Sequence, residues 1–205
     1  MAPPRKHETD VILDATRALV LTAGPRAASV AAIAKASGAP AGTLYHRFGN
    51  RDGVVIAAWL RALDRFQQRA LAATGSTPVA HAAAMAVAAV GFARELPDDA
   101  RLLLTIRPAD LVDSQSDTDF TETLAAMNAP LTQRMRELTL QLYGTAEPRA
   151  LDAVYRAVSD LPYAVVRRHA HDDSLPGWLE ADVSAAVRAL LHSYGEKGDE
   201  ADGIN

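Results

Sequence analysis

Apolar residues recur at three- and four-residue intervals through most of the chain, the spacing that lines one face of an α-helix. Strict apolar/polar alternation of the kind a half-buried strand needs is missing, and β-branched clusters are few. Gly24-Pro25, Gly38-Ala39-Pro40, Gly49-Asn50, residues 74–78, Pro97, residues 108–119, 144–148 and 174–177 punctuate the pattern. Between these breaks the spacing predicts three short helices over about 8–23, 30–37 and 40–48. Longer ones are expected over about 51–73, 78–95, 98–107, 119–143, 148–171 and 178–194. The expected fold is all-α, about nine helices, with a three-helix module ahead of a larger helical body. Pro130 and Pro162 fall inside long helices and are expected to kink them.

The stretch from Ser29 to Arg51 is the most informative. Ser29 is a good N-cap, Gly38 suits a left-handed residue that ends a helix, and Pro40 suits the start of the next. Two short helices joined by about three residues including a glycine form the helix-turn-helix pattern. At ~100° per residue, Ala41, Leu44 and Phe48 fall on the core side of the second helix. Gly42, Thr43, His46 and Arg47 fall opposite, with Tyr45 at the flank. Hydroxyl, imidazole and guanidinium groups beside a missing side chain suit phosphate oxygens and groove edges. Asn50 can cap the fourth helix and place Arg51 beside its free amides.

Charge supports that reading. The net charge is −4, but residues 1–51 carry seven basic against three acidic residues, a net +4. The remaining residues carry 14 basic and 22 acidic, a net −8. A basic head on an acidic body suggests that the head meets a polyanion. The boundary is expected near residue 51: a DNA-binding domain over 1–51, a ligand-binding and dimerisation domain over 52–195, and a disordered tail over 196–205. The acid-rich segment from Asp110 to Glu122 is expected to be an exposed loop.

Composition closes several other routes. At 205 residues, 49% hydrophobic and 22% charged, the chain can bury a sizeable core. The absence of cysteine removes disulfides, thiolate nucleophiles and cysteine-ligated metals. The polar N-terminus lacks the apolar core of a signal peptide, and the longest apolar run, Pro78 to Ala93, carries His81 and is too short to span a bilayer. The expected location is cytoplasmic.

The segments Ser29-Val-Ala-Ala-Ile-Ala-Lys-Ala-Ser-Gly38 and Gly42-Thr-Leu-Tyr-His-Arg-Phe48 resemble the TetR family of bacterial transcriptional regulators, over about residues 9–60. The resemblance implies that Thr43, Tyr45 and His46 contact phosphates or base edges. It implies that Ala41 and Gly42 meet bases and that Arg51 clamps a phosphate. Ser29 belongs to the same motif. Two departures stand out: Pro40 replaces a common serine, and Arg47, where histidine is common, is either a phosphate ligand or an internal brace. Arg5 and Lys6, ahead of the first helix, are candidates for a flexible arm along the DNA backbone.

The resemblance also implies a helical ligand-binding body. Candidate lining comes from Trp59, Leu63, Phe66, His81, Met85, Phe92, Leu124, Met127, Tyr155 and Tyr163, although large side chains at helical spacing are more often plain core. Two apolar stripes are candidates for a homodimer interface by resemblance or for ordinary intrachain packing. They are Leu151, Val154, Val158, Leu161 and Val165 in one helix, and Leu179, Val183, Val187, Leu190 and Leu191 in the other. No Gly-x-Ser-x-Gly turn or phosphate-binding glycine loop is visible. His169 and His171, two apart, diverge on a helix. No catalytic set, metal site or cofactor is expected.

The expected function is a ligand-responsive DNA-binding regulator, not an enzyme: a homodimeric repressor released from a palindromic operator by a small-molecule effector. The competing reading is a helical small-molecule-binding protein or enzyme whose head does not bind DNA. It leaves the basic head with Tyr45, His46 and Arg51 unexplained.

Overall fold

The computed structural model describes residues 5–107 and 117–202, with side chains over 9–107 and 119–195. The described residues are helical throughout, without a strand. In chain order the helices are α1 (Arg5–Ala23), α2 (Val30–Ser37), α3 (Ala41–Phe48), α4 (Arg51–Ala72), α5 (Pro78–Glu95), α6 (Pro97–Thr105), α7 (Asp117–Tyr143), α8 (Pro148–Tyr155), α9 (Leu161–Arg168) and α10 (Leu179–Asp202). Pro25–Ala27 form a 3-10 turn, and Arg156–Asp160 form a π turn that joins α8 to α9.

The chain divides into two compact units, residues 1–65 with 96–124 and residues 66–95 with 125–205. The first therefore reaches past residue 51, taking in most of α4 and all of α6. In this unit α1 packs on α2 and α6, and α2 on α3. Its core is a single cluster that includes Ile12, Val20, Ile33, Leu44, Val54, Trp59 and Leu102. Ile33 and Leu44 are 0% and 1% exposed, so the two motif helices lock through one apolar contact layer. In the second unit α5 packs against α9 and α10. Small residues make that approach possible: Ala82, Ala83 and Ala86 are all buried on α5.

Two prolines behave differently from each other. α7 continues through Pro130. Pro162 offers no N–H and its ring would press on the carbonyl four residues back. The chain answers with the wider π turn just before it. The run from Pro148 to Arg168 thus stays helical across Pro162, with the π turn marking the irregularity the proline introduces. At the C-terminal end, α10 runs to Asp202. Of the expected acidic loop, residues 108–116 lie outside the described residues, and helix α7 begins at Asp117. Among the described residues, no single helix is long and apolar enough to cross a membrane.

Candidate nucleic-acid interface

Local sequence sets the ends of both motif helices. Ser29 is extended and its Oγ accepts from the Ala32 amide at 3.2 Å, capping α2. Gly38, at φ 70°, closes that helix in the left-handed conformation. Pro40 precedes α3 and supplies no side-chain cap, leaving the first amides of α3 without one. Asn50 then caps α4, its Oδ1 accepting from the Gly53 amide at 2.8 Å.

The exposed surface of α3 comprises Ala41, Gly42, Tyr45 and His46, with Tyr45 56% exposed. Thr43 is half-buried on the same helix. Ala41 departs from the angular expectation: as the first residue of α3 it faces solvent, while Leu44 alone of the inward set is fully buried and Phe48 is partly covered. A Cβ on Gly42 would meet nothing within 4 Å, so another molecule can approach its backbone closely.

Both arginines of the motif are half-buried and bond within the chain. Arg47 Nη1 donates to Thr9 Oγ1 on α1 at 3.1 Å, the geometry of an internal brace. Arg51 donates through Nη2 to the Pro25 carbonyl, through Nε to the Ala28 carbonyl at 3.3 Å, and meets Asp52 through Nη1. Among the described side chains of this head, the exposed cations are Arg26, in the 3-10 turn, and Lys35, in the last turn of α2. Sequence reasoning counted both toward the charge of the head without assigning either to the interface. Exposure was the missing signal. Arg5 and Lys6 are not ahead of the first helix: the backbone of both belongs to α1, while their side chains lie outside the described residues.

The candidate ligand-lining residues do not share one compact unit. In the first, Trp59 is 5% exposed, donates from Nε1 to the Ile106 carbonyl at 3.2 Å and meets Phe120 edge-on. Leu63 and Leu124 pack on the same core. In the second, Met85 and Phe92 are buried, and Phe66 packs edge-on against Phe92 at 5.6 Å. Met127 and Tyr155 are half-buried, and Tyr163 is exposed with its hydroxyl accepting from Arg167 at 3.3 Å. His81 is half-buried with Nε2 3.2 Å from Arg134 Nη1. A guanidinium can only donate, so Nε2 is the acceptor of that pair. A groove of about 180 Å³ lies elsewhere, lined by Arg149, Ala153, Arg156, Leu190, Ser193 and Tyr194.

The apolar stripes proposed for dimerisation are mostly interior. Val154, Val158, Leu179, Val183, Val187 and Leu191 are buried within the single chain, where α10 packs on α5 and α8, and the π turn packs on α5 and α8. Leu151, Leu161 and Val165 are half-buried, and Leu190 is 41% exposed. A residue already buried in its own chain has little surface left to offer a partner.

Taken together, a capped α2, a glycine-ended turn and an α3 with an open outer face define a helix-turn-helix of the DNA-binding class. Residues 12–58 match the model of the tetR family of bacterial regulatory proteins. No curated protein matches the chain. Solved structures share the fold over nearly the whole length. A TetR family transcription regulator from Marinobacter aquaeolei VT8 is 17% identical with a TM-score of 0.72, covering 91% of this chain and 95% of that one. The TetR family regulator PfmR from Thermus thermophilus is 20% identical with a TM-score of 0.66, covering 88% and 97%. The ketosteroid transcriptional regulator KstR2 of Mycobacterium tuberculosis is 16% identical with a TM-score of 0.66, covering 94% and 96%. The N-terminal segment of the chain thus matches the tetR family sequence, and its fold is that of the solved TetR-family regulators.

Proposed function

We propose that this protein is a homodimeric repressor that leaves a pseudo-palindromic operator when a small molecule binds its helical body. The observation that carries the reading is the outer face of α3, where Ala41, Gly42, Tyr45 and His46 are exposed above a packed Ile33–Leu44 layer. Ala41 and Gly42 have no polar side-chain group to read a base edge, so specificity leans on Thr43, Tyr45, contact with thymine methyls and DNA shape. Two copies of α3 in successive major grooves require half-sites about one helical turn, ~34–36 Å, apart. Dimerisation uses the outer faces of α9 and α10, where Leu161, Val165 and Leu190 retain accessible surface. Effector and DNA then oppose each other by a reciprocal coupling of about 1–3 kcal/mol.

Selection of fragments from the source genome by the purified protein tests this. A shared two-fold site with one-turn spacing is expected, and Thr43→Ala and Tyr45→Ala are expected to change which bases are preferred within it. Recovery of fragments without a common site, at the affinity of random duplex, would overturn the proposal.

A further inference from the structure

The 3-10 turn Pro25–Ala27 leads into α2, and Arg51 opens α4. One guanidinium joins the two. Arg51 donates through Nη2 to the Pro25 carbonyl and through Nε to the Ala28 carbonyl, and it meets Asp52 through Nη1. Those bonds engage three of the five N–H groups of a side chain that is 34% exposed, so two donors stay open at the surface. The Pro25 carbonyl belongs to the peptide bond that begins Arg26, whose Cα stands roughly 3 Å from that oxygen by standard bond lengths. Arg26 is exposed, and among the described residues no carboxylate pairs with it. Two positive side chains therefore leave the head from one corner. Asp52, bonded to Arg51, offsets one of the two charges.

That corner borders the open face of α3. Arg51 stands just beyond the C-terminal end of α3, and Arg26 belongs to the turn that Arg51 holds. A helix seated in a groove ~12 Å wide leaves the elements at its ends over the phosphates that border it. We propose that Arg26 is a DNA-binding residue: its guanidinium joins the open N–H groups of Arg51 on the phosphate backbone beside the groove that α3 enters. The proposal rests on the DNA-binding reading above and adds to it a contact from the turn ahead of α2. Arginine suits the role because its planar fork matches the oxygens of a phosphate.

The test uses the full-length protein and a labelled random-sequence duplex, with affinity followed against salt concentration. Each phosphate contact contributes about 0.9 to the log–log slope. Arg26→Ala is expected to bind about tenfold more weakly at low salt, with a slope shallower by about 0.9. Arg136→Ala is the control: Arg136 is exposed on α7 in the second unit, so its loss removes the same charge from outside the head. The wild-type slope is expected there. A wild-type slope in Arg26→Ala would overturn the proposal. An equal fall in both variants would overturn it too, since it marks the field of the whole protein and not a contact. Should Arg26→Ala fail to fold by circular dichroism, Arg26→Gln is read in the same way. Wild-type protein that ignores duplex at low salt would sink the DNA-binding reading itself, and the Arg26 contact with it.

Discussion

Asp99 on α6 receives a guanidinium on each carboxylate oxygen: Arg65 Nη1 of α4 at 2.8 Å on Oδ2, and Arg17 Nη1 of α1 on Oδ1. The carboxylate is 1% exposed. Arg17 also lies 3.4 Å from Asp14, which with Asp10 holds Arg61. Charges thus alternate from Asp10 through Arg61, Asp14, Arg17 and Asp99 to Arg65, joining α1, α4 and α6 inside the first unit. Burial by itself would raise the Asp99 pKa, but the hydrogen bonds from Arg65 and Arg17 overcome it and hold the pKa below the ordinary carboxylate value.

Asp99→Asn is therefore expected to cost about 3 kcal/mol at neutral pH, since both guanidinium groups lose their anion. A depressed carboxylate pKa stabilises the fold above the unfolded value, near pH ~4, and that contribution disappears as pH falls through the folded value. Denaturant melts should show the two proteins converging as pH drops below about 4. Equal stabilities at neutral pH would remove the ion network from the account.

Gly53 tolerates no side chain. A Cβ there would lie 2.0 Å from the Phe48 carbonyl oxygen and 3.1 Å from its carbon. Gly53→Ala should destabilise the turn between α3 and α4 by about 2–3 kcal/mol, because the obstacle is backbone that cannot step aside. Gly42→Ala, with open space around it, should leave the melting temperature of the same protein at or above wild type. Comparable losses in the two variants would contradict this geometry.

Tyr143 donates its hydroxyl to the Leu191 carbonyl at 2.9 Å and packs on Tyr194, ring centroids 4.7 Å apart. Burial, with the neighbouring Tyr194, pushes its pKa up to about 12. The protonated phenol is the stabilising form, so its contribution is complete below pH ~10 and is lost as pH rises through the folded value. Tyr143→Phe should cost about 1 kcal/mol and abolish a late component in a spectrophotometric phenol titration. Survival of that component in the variant would assign it elsewhere.

Ser29→Ala should lower stability by about 1 kcal/mol, the worth of the cap it gives the Ala32 amide. Ser29→Asp should retain most of it, since a carboxylate accepts the same bond. A thermal melt of both variants decides the matter.

Where the sequence was readable, the signal was local. Ser29, Gly38 and Asn50 act within three or four residues of themselves, and each does in the structure what its chemistry announces. Leu44 faces inward as its helical angle requires. Ala41 does not, because the angular rule assumes a neighbour packed along the entire helix and its first residue has none. The valines of α8, α10 and the π turn carried a stripe that fits a partner chain or the chain's own helices equally well. Only their burial within one chain, at 0% for Val154 and Val187, decided between the two.

Helical periodicity, capping side chains and the basic head follow from covalent neighbours and composition, so the chain declared its fold class and its motif before any coordinates were known. The roles of Arg47, Arg51 and Asp99 depend on partners far away along the chain, 23 and 26 residues for the Arg51 bonds and 82 for Arg17 with Asp99. A guanidinium reads the same in sequence whether it will face a phosphate, a carbonyl or a buried acid. Packing decides which of these it brings within reach, and that choice belongs to the tertiary fold.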